Sequence, residues 1–398
     1  MAQVIIVGAG PAGVTLALLL VKRGIRVTLI EASRNFRRTF RGEGLMPSGL
    51  DVLEQMELLP LLQRIPHQPL DAWEFIINKR SLFRVDEPLE VGGKPCTLVS
   101  QPAFLEALID AANTYPNFEF IQGIAVQDLL WDQRVVGVKL SDGRNLNADL
   151  VIGTDGRNSI VRQRAHISLE QQSHSFDVLW FKLADSPQFR SENIFYSIVY
   201  DRYAFGLFRS SEGNLHLGWT LPKDFPQDWQ QVDDWAEIFA AASPSWLAEH
   251  FRTFADTIER PVLLSVIVGR CLRWYHPGVL LLGDAAHPMS PIRAQGINMA
   301  LRDAIAAANH LVPCLSQGAT ADIDAVLPQI QAQREPEIIK AQRLQSQEAA
   351  QAELLEQSAF LRWGASVLAP LIRTPVKLSW LHRQRELRQG VTPLTLTV

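Results

Sequence analysis

The sequence predicts an α/β protein: a mostly parallel, Rossmann-like sheet, an inserted antiparallel-sheet domain and a C-terminal helical segment. Three observations predict this class. An apolar stretch at residues 4–7 runs into a glycine turn and then into an apolar helical pattern. Short runs rich in aromatic and β-branched residues fill much of 176–221. Residues 335–389 are helical in character and rich in Gln and Leu, with Pro370 and Pro375 as breaks.

The glycine turn, Gly8-Ala9-Gly10-Pro11-Ala12-Gly13, predicts a dinucleotide site. Gly8 permits the tight turn, Gly10 lets backbone N–H groups approach a pyrophosphate, and Gly13 lets helix and strand pack closely. The N-terminus of the helix directs its positive dipole end at the phosphates. Glu31 ends the second apolar strand, where a ribose diol would be bound. The alternative is a glycine turn in an α/β sheet that binds no ligand.

Composition narrows the classes of function. A chain of 398 residues suggests two or three domains. A net charge of -4 argues against a surface that binds nucleic acid, which would be basic. The phosphate-binding element therefore indicates a cofactor rather than a polynucleotide. Cys96, Cys271 and Cys314 lack the spacing of a zinc site or a disulfide framework, so we expect no metal and a cytoplasmic location. The apolar residues 14–21 follow no basic region, which argues against a signal peptide.

An arginine-rich connection at residues 34–41 follows Glu31. Arg41 is a candidate cofactor contact, and the alternative is a solvated basic turn. The other predicted elements of this part are a helix over 48–64, a hairpin over 73–85, a helix over 104–113 and a β-meander over 118–140.

Two further apolar strands end in polar side chains. Residues 149–153 lead to Asp155, and residues 278–282 lead to Gly283-Asp284. Because open α/β sheets bind ligands at the carboxyl ends of their strands, both ends indicate a ligand site. A helix that begins at 296–298 would stabilise negative charge at its N-terminus. The elements predicted between these landmarks are strands over 176–183, 194–200, 203–209, 215–221 and 261–268 and helices over 232–242 and 244–252.

Together these motifs resemble the flavoprotein monooxygenases of the para-hydroxybenzoate hydroxylase fold, the single-component (group A) aromatic hydroxylases. The resemblance runs from Met1 to about Gln345. Its motifs are the glycine fingerprint with Glu31, Asp155-Gly156 with Ser159 and Arg162, and Gly283-Asp284-Ala285-Ala286-His287. The resemblance implies an FAD-binding domain of the GR2 type over 1–72, 96–174 and 271–345, a substrate domain over 73–95 and 175–270, and a C-terminal helical region over 346–398.

The same resemblance implies an FAD site. It assigns the ADP half to the glycine turn and the end of the second strand, the pyrophosphate and ribityl chain to three polar side chains, and the flavin pyrimidine edge to the start of a helix. In that order, the residues are Gly8, Gly10, Pro11, Ala12, Gly13, Glu31 and Ala32, then Arg41, Gln101 and Asp284, then Pro291, Gly296, Ile297 and Asn298. Val126 would lie near the adenine, and Asp155 between the cofactor and the approach groove for NAD(P)H. Alternatively, Gln101 only caps its helix and Val126 belongs to the sheet core.

The chain departs from the family pattern at Arg293. The family usually has a glycine-rich turn between the proline and the helix start, whereas this chain has Ile292-Arg293-Ala294-Gln295-Gly296 after Pro291. Arg293 would then stand close to the substrate or the flavin ring, where it could hold an acidic substrate or stabilise the anionic reduced flavin. The alternative is that the guanidinium turns to solvent, because arginines are mostly exposed.

The implied reaction uses NAD(P)H and O2. FAD would be reduced, react with O2 to a C4a-hydroperoxide and deliver one oxygen atom to a hydrophobic, aromatic or polycyclic molecule. The sequence has one dinucleotide fingerprint, so NAD(P)H is expected to dock transiently. The alternatives are an FAD-dependent oxidase or dehydrogenase of the same fold and a binding protein that has lost the flavin.

The substrate pocket is expected between the Gly283-Asp284 segment and the aromatic strands. A period of two gives each strand two faces and does not say which of them turns inward. The candidate wall residues are Trp180, Tyr196, Ile198, Phe205, Phe208, Trp219 and Met289. The candidate proton acceptors for a phenolic substrate are Tyr196, Tyr203 and His216, with sheet packing as the alternative. His287 is interpreted as structural.

The C-terminal region combines basic and aromatic residues. Residues 361–389 carry six Lys or Arg against one acidic residue, together with Trp363 and Trp380. This pattern fits a basic amphipathic helix on a membrane surface or a helical cap on the FAD domain. We expect the cap, because helical Leu and Trp stripes usually face a core. The identity of the substrate, NADH against NADPH, covalent attachment of the flavin and monomer against homodimer are left open.

Overall fold

A computed structural model of the chain describes residues 2–36, 43–172, 176–222, 227–317 and 320–398. The part before residue 173 starts with the strand, helix and strand that the glycine turn predicts. Its elements are β1 Gln3–Val7, α1 Pro11–Val21, β2 Arg26–Glu31, β3 Gly44–Leu45, α2 Pro47–Gln55, α3 Leu59–Leu62, β4 His67–Pro69, β5 Ala72–Ile77, β6 Arg80–Asp86, β7 Thr97–Val99, α4 Gln101–Asn113, β8 Phe118–Gln122, β9 Val126–Trp131, β10 Val135–Leu140, β11 Asn145–Asn147, β12 Leu150–Gly153, α5 Ile160–Arg164 and β13 Leu169–Gln171.

The middle of the chain contains the predicted aromatic strands. The predicted strand over 261–268 is reduced to three residues, and the predicted helix over 232–242 starts later, where the Asp234 side chain accepts a hydrogen bond from the Glu237 N–H at 2.9 Å. The elements are β14 Phe176–Leu183, α6 Pro187–Ser191, β15 Ile194–Tyr200, β16 Tyr203–Arg209, β17 Leu215–Pro222, α7 Trp235–Ala242, α8 Ser245–Thr253 and β18 Val262–Leu264.

The last part is mainly helical, as its composition predicts. Among the residues described, none of the helices is both long and apolar enough to cross a membrane. The elements are β19 Gly269–Cys271, β20 Tyr275–His276, β21 Val279–Leu281, α9 Gln295–Gln317, α10 Thr320–Gln357, α11 Ala359–Val367 and α12 Ala369–Gln389.

Two predictions for the first part are wrong. The helix expected over 48–64 is broken between α2 and α3, where Glu57 adopts φ 61° and Pro60 follows. The β-meander expected over 118–140 loses its first strand, because β8 pairs in parallel with β2. The other two strands of the predicted meander, β9 and β10, form a small antiparallel sheet with β11.

A six-stranded sheet in the order β20-β21-β12-β1-β2-β8 forms the first layer. Its strands are parallel except for the pair β20 and β21. Buried residues of α1, α4 and α9 pack in one core with the sheet, and β9 and β10 pack in a second core with alternate residues of β1 and β12. This two-sided burial explains the uniformly apolar strands. The carboxyl ends of β1, β2, β12 and β21 therefore meet at one edge.

A seven-stranded sheet in the order β18-β14-β17-β16-β15-β5-β6 forms the second unit. Its pairs are antiparallel except β15 with β5. One face packs under α7 and α8, and part of the other packs against α12. The rest of that second face looks toward the carboxyl edge of the six-stranded sheet across a cavity.

Candidate active site

A cavity of about 1650 Å³ lies between the two sheets. Its lining includes Gly10, Asp284 and Gly296 from the six-stranded-sheet part and Trp180 and Phe208 from the seven-stranded sheet. Pockets for one small molecule usually enclose about 300–1,000 Å³. The space is therefore large enough for a cofactor and a second ligand.

The glycine turn is held against the end of β12. Gly8 has φ 102°, and a Cβ atom there would come within 2.5 Å of the Thr154 carbonyl oxygen. A Cβ atom on Gly13 would come within 2.1 Å of the Gly8 carbonyl oxygen. Both positions therefore require glycine. The turn delivers Pro11 and Ala12 to the cavity wall, where α1 begins.

Glu31 joins the end of β2 to this turn. Its carboxylate accepts hydrogen bonds from the N–H of Ala9 at 2.9 Å and from the N–H of Ser33 at 2.8 Å. Glu31 is buried, and the following Ala32 is exposed. The carboxylate is thus fixed beside the glycine turn.

Asp155 lines the cavity and caps α5 at the same time. Its carboxylate accepts hydrogen bonds from the N–H of Ile160 at 2.7 Å, from the N–H of Val161 at 3.1 Å and from the Ser159 hydroxyl. These bonds satisfy donors at the start of the helix that would otherwise lack partners. The aspartate therefore shapes the turn after β12, and its place between cofactor and NAD(P)H stays a prediction.

Arg162 connects the second motif to the third. Its buried guanidinium donates from Nη1 to the carbonyl oxygen of Ala285 at 2.9 Å and from Nη2 to the carbonyl oxygen of Arg157 at 2.7 Å. Hydrogen bonds of charged donors are stronger than neutral ones. The loop that carries Asp284 is thereby held against α5.

Asp284 is exposed in a loop whose neighbouring residues are buried, and it lines the cavity. Asp303 supports this loop from below: it accepts hydrogen bonds from the N–H of Gly283 at 3.0 Å, from His287 Nε2 at 2.7 Å and from Arg334 Nε at 2.8 Å. Burial acts to raise the pKa of Asp303, but His287 and Arg334 outweigh burial and hold the pKa at about 2. This agrees with the structural role predicted for His287.

The start of α9 presents Gly296 and Ile297 to the cavity. The side chain of Asn298 does not face it. Its Oδ1 accepts from the N–H of Met46 at 2.9 Å, and its Nδ2 donates to the carbonyl oxygens of Gly44 at 3.0 Å and Ala294 at 2.8 Å. Asn298 therefore fixes the helix start against β3.

These residues fit FAD. An added Cβ atom on Gly10 would have one neighbour within 4 Å, the Thr154 carbonyl oxygen at 3.9 Å, and one on Gly296 would have only Asp284 Oδ1, at 3.9 Å. The backbone at both helix starts is therefore open to a ligand. The N-termini of α1 and α9 carry partial positive charge suited to the pyrophosphate and to the flavin pyrimidine edge. Asp284 offers the acceptors that a ribityl hydroxyl requires.

The other predicted cofactor residues divide into three groups. Gln101, the first residue of α4, is buried and lines the cavity, as does Pro291. Val126 packs in the core between the six-stranded sheet and β9, so its contact with an adenine stays a prediction. Arg41 lies outside the residues that the structure describes.

The strand faces decide which aromatic side chains meet the cavity. Trp180 and Phe208 lie on the cavity face, with ring centroids 6.0 Å apart, and Met289 also lines the cavity. Phe195 stacks on Phe208 at 5.4 Å and Trp73 lies 4.8 Å from Phe195. These rings form a continuous wall, which we call the aromatic chamber (Trp73, Trp180, Phe195 and Phe208).

The prediction that Tyr196 and Trp219 face the substrate is wrong. Both side chains lie on the other face of the sheet, in the core under α7 and α8. Ile198 and Phe205 pack in that core too, although they also contribute to the cavity lining. Side chains alternate between the two faces along β15 and β17. Phe195 therefore lies on the cavity face, and Tyr196 lies on the face that packs under α7 and α8.

Trp73 and Phe195 were not predicted as cavity residues. One feature of the sequence does indicate which face of the seven-stranded sheet carries the large rings. An added Cβ atom on Gly206 would lie 2.9 Å from Phe195 Cζ, and one on Gly218 would lie 2.9 Å from Trp180 Cζ3. Glycine inside a strand marks a close approach of another group. The two glycines of β16 and β17 therefore identify the face on which large rings lie.

Arg293 is enclosed, so the alternative that it turns to solvent is wrong. Its side chain is 10% exposed, and Nε donates to Glu348 at 2.8 Å. The guanidinium carbon lies 5.1 Å from the ring centroid of Trp73, 5.6 Å from that of Phe75 and 5.2 Å from that of Trp380. Its charge is thus already compensated by a carboxylate and three aromatic faces.

Of the three predicted proton acceptors, the two tyrosines lie away from the cavity. Burial raises the pKa of Tyr196, and Glu74 raises it further. Tyr203 packs on Trp219, with ring centroids 4.9 Å apart. For both tyrosines, sheet packing replaces the predicted catalytic role.

His216 lies beside a carboxyl group that the sequence did not indicate. Its Nδ1 is 3.6 Å from Oε1 of Glu43, and Glu43 lines the cavity. Among the described residues, His216 Nδ1 and Glu43 Oε2 have no hydrogen-bond partner. Burial raises the pKa of Glu43 to about 7 although the Ser211 N–H opposes the rise, and burial together with Lys182 lowers the pKa of His216 to about 3.

A dinucleotide cradle at the edge of a parallel sheet, continuous with an aromatic chamber on an antiparallel sheet, is the architecture of the flavoproteins with the para-hydroxybenzoate hydroxylase fold. The chain belongs to the FAD binding domain family, whose model matches residues 1–336.

Individual relatives agree with this assignment. The chain is 35% identical over 356 residues to 6-methylpretetramide 4-monooxygenase of Streptomyces rimosus, covering 86% of this chain and 82% of that protein. It is 25% identical to p-hydroxybenzoate hydroxylase of Acinetobacter baylyi, over 81% of this chain and 80% of that protein. The crystal structure of pqsL, a probable FAD-dependent monooxygenase from Pseudomonas aeruginosa, has the same fold, with a TM-score of 0.75, 23% identity and coverage of 92% of this chain and 99% of that one.

The family and these relatives confirm the predicted fold class, the FAD cofactor and an oxidoreductase of the monooxygenase type.

Proposed function

We propose that this monooxygenase hydroxylates a hydrophobic aromatic or polycyclic small molecule, with NAD(P)H as reductant. The observation that carries the proposal is the continuity of the cavity, in which Gly10 and Asp284 of the cradle and Trp180 and Phe208 of the aromatic chamber line the same space. A molecule in the chamber would therefore share one cavity with the cofactor. The relatives named for 6-methylpretetramide and p-hydroxybenzoate support a substrate of this kind.

FAD, when bound, supplies the electron transfer and the activation of O2. The residues of this chain bind, orient and exclude water. The starts of α1 and α9 stabilise negative charge on the cofactor. The aromatic chamber holds the substrate through apolar burial and ring stacking, which contributes about 0.5–1.5 kcal/mol for each ring pair.

We assign Glu43 as the proton acceptor for a phenolic substrate. Its carboxyl group lines the cavity at the end of the aromatic sheet, beside the buried His216. In the ionised form, Glu43 takes the proton of the phenol, which leaves a neutral carboxylic acid and a phenolate that is more reactive toward an electrophilic oxygen. His216 stays neutral and adds no positive charge that would hold Glu43 ionised at low pH.

Two further assignments accompany this proposal. We divide the chain into the FAD-binding segments, the substrate segments and the C-terminal helical region as predicted, supported by the joining of β5 and β6 with β14 to β18 in one sheet. We place the protein in the cytoplasm, supported by its three free cysteines.

The test is NAD(P)H consumption by the FAD-loaded protein against a panel of phenols, quinones and polycyclic aromatics. We expect at least one compound to stimulate consumption and to gain an oxygen atom. Phe195→Leu removes a stacked ring from the chamber. Because one ring pair contributes about 0.5–1.5 kcal/mol, KM should rise roughly two- to tenfold. Trp131→Leu, a change at a half-exposed ring on β9, is the control and should leave KM unchanged. A product without added oxygen would instead favour an oxidase or dehydrogenase.

A further inference from the structure

The end of α10, α11 and the first half of α12 expose a concentrated set of large apolar side chains. Eight of the thirteen exposed large apolar residues in the described chain lie between Leu354 and Leu378. Scattered exposed apolar residues need no explanation, but a contiguous group usually marks a binding surface. We call residues 360–378 the hairpin tip. Its most exposed apolar members are Phe360 at 75%, Trp363 at 58%, Leu371 at 77% and Leu378 at 60%.

These exposed side chains do not belong to the face by which α11 and α12 pack on the rest of the protein. Trp380 is buried against Phe75, with ring centroids 5.3 Å apart, and Arg388 donates to the Glu87 carboxylate at 2.6 and 2.7 Å. Arg362 is buried and pairs with Asp201 at 3.1 Å. The expected helical cap thus exists, but a second apolar stripe on the same helices points outward.

The charges around the tip favour one partner. Residues 360–378 contain three Lys or Arg and no acidic residue, although the whole chain has a net charge of -4. Because Arg362 is buried and paired with Asp201, the cations that remain for a partner are Arg373 and Lys377. A second copy of this chain, packed on the tip about a two-fold axis, would bring cations against the same cations. An anionic bilayer surface would instead receive both the apolar side chains and the cations.

The cavity extends to the helices that carry this surface. Leu355, Ala359, Arg362 and Val376 line it, and Ala359 is exposed. An apolar molecule carried by a bilayer would therefore reach the aromatic chamber from the tip. This last support rests on the proposed function, whereas the charge and exposure of the tip do not.

We propose that the hairpin tip docks on the surface of an anionic lipid bilayer, with Phe360, Trp363 and Leu371 inserted among the lipids and Arg373 and Lys377 at the headgroups.

The test is flotation of the full-length, FAD-loaded protein with two kinds of vesicle, pure phosphatidylcholine and phosphatidylcholine mixed with phosphatidylglycerol. We expect flotation with the anionic vesicles, weaker flotation with the neutral ones, and a decrease at high salt. The triple variant Phe360→Ser, Trp363→Ser, Leu371→Ser should lower the partition coefficient by about tenfold or more. The matched control is the triple variant Val91→Ser, Trp131→Ser, Leu272→Ser, which removes exposed apolar residues elsewhere and should float like the parent.

Each outcome decides the proposal. Flavin absorbance and far-UV circular dichroism of every variant report that it is folded. If the parent stays in the soluble fraction with both vesicles, or if the tip variant floats as well as the parent, the proposal is wrong. A dimer that the tip variant abolishes, without flotation of the parent, would assign the surface to a second copy. Flotation does not depend on turnover, so this result is independent of whether the proposed hydroxylation is correct.

Discussion

Arg162 donates from Nη1 to the main-chain carbonyl oxygen of Ala285 at 2.9 Å, and so joins α5 to the loop that presents Asp284. Two motifs more than a hundred residues apart in the chain thereby meet in one hydrogen bond. Because Arg162 also donates to the carbonyl oxygen of Arg157, its guanidinium positions both sides of the cofactor cradle.

Replacing this arginine should therefore weaken the fold and FAD binding together. Arg162→Leu leaves the buried Ala285 carbonyl oxygen with only the weak Cys271 thiol donor at 3.8 Å, at a cost of about 1–3 kcal/mol. We expect a lower Tm and a weaker Kd for FAD, measured by thermal unfolding and by flavin fluorescence titration. Arg164→Leu, a half-exposed neighbour on the same helix, should change the stability by less than about 0.5 kcal/mol. Equal effects of the two substitutions would contradict the role of Arg162.

The proton acceptor assigned to Glu43 predicts a pH dependence. Because the pKa of Glu43 is about 7, the carboxyl group is neutral below that pH and ionised above it. kcat with a phenolic substrate should rise from about pH 6 to about pH 8. In Glu43→Gln this rise should disappear and kcat should fall by about 10²-fold or more. Glu356→Gln removes another cavity-lining carboxyl group whose burial raises its pKa to about 7, and it should keep the profile of the parent.

Glu43 also affects the stability of the fold. Its contribution to stability should decrease as the pH rises, whereas its contribution to kcat should increase. Burial raises the pKa of Glu43 above the value of 4.5 that it has when exposed, so the folded protein holds this proton more tightly than the unfolded chain does. Its contribution to the free energy of unfolding is complete below about pH 4.5 and is lost as the pH rises to about 7. Denaturant unfolding at several pH values should show this loss in the parent and not in Glu43→Gln. An identical pH dependence of stability in both proteins would contradict the shifted pKa.

Arg293 should matter for packing more than for the flavin. Arg293→Ala leaves the 10% exposed Glu348 carboxylate with the Gln384 amide but without its cation, and breaking an enclosed pair of this kind costs about 3–5 kcal/mol. The double variant Arg293→Leu, Glu348→Leu removes both charges and should recover most of that loss in a urea titration. The flavin reduction potential of the double variant should equal that of the parent, because the two charges cancel. A shifted potential would show that Arg293 acts on the flavin ring after all.

Gly218 should control the size of the aromatic chamber. In Gly218→Val, a side chain would be forced against Trp180, since even a Cβ atom would lie 2.9 Å from that ring. We expect a loss of about 1–3 kcal/mol of stability and a higher KM for the largest substrates in the panel. Gly364→Ala is the control, because an added Cβ atom meets nothing within 4 Å there. Equal KM values for large and small substrates in Gly218→Val would contradict the assignment of this face.

The elements around the cofactor were predictable because their signals are local. The turn from Gly8 to Gly13 and the acid at Glu31 belong to one continuous βαβ unit, so their spacing fixes their geometry. The strand end at Asp284 is marked in the same way by an apolar run before it. The bounds of β14 to β17 also follow from local composition.

The chamber was less predictable because it depends on contacts distant in sequence. Alternation along β15 cannot say whether Phe195 or Tyr196 turns inward until α7 and α8 cover one face. Arg293 contacts Glu348 on α10 and Trp380 on α12. Glu43 lies beside His216 on β17. No spacing within one segment encodes these pairs.

The central claim, that one cavity brings a bound molecule to an oxygen-activating FAD, is tested most directly by isotopically labelled O2. The FAD-loaded protein is given NAD(P)H, labelled O2 and the compound that most strongly stimulates NAD(P)H consumption, and the product is analysed by mass spectrometry. We predict that the product carries one labelled oxygen atom and that Phe195→Leu lowers its yield while Trp131→Leu does not. An oxidised product without the label, or label uptake that the chamber variant leaves unchanged, would contradict the account.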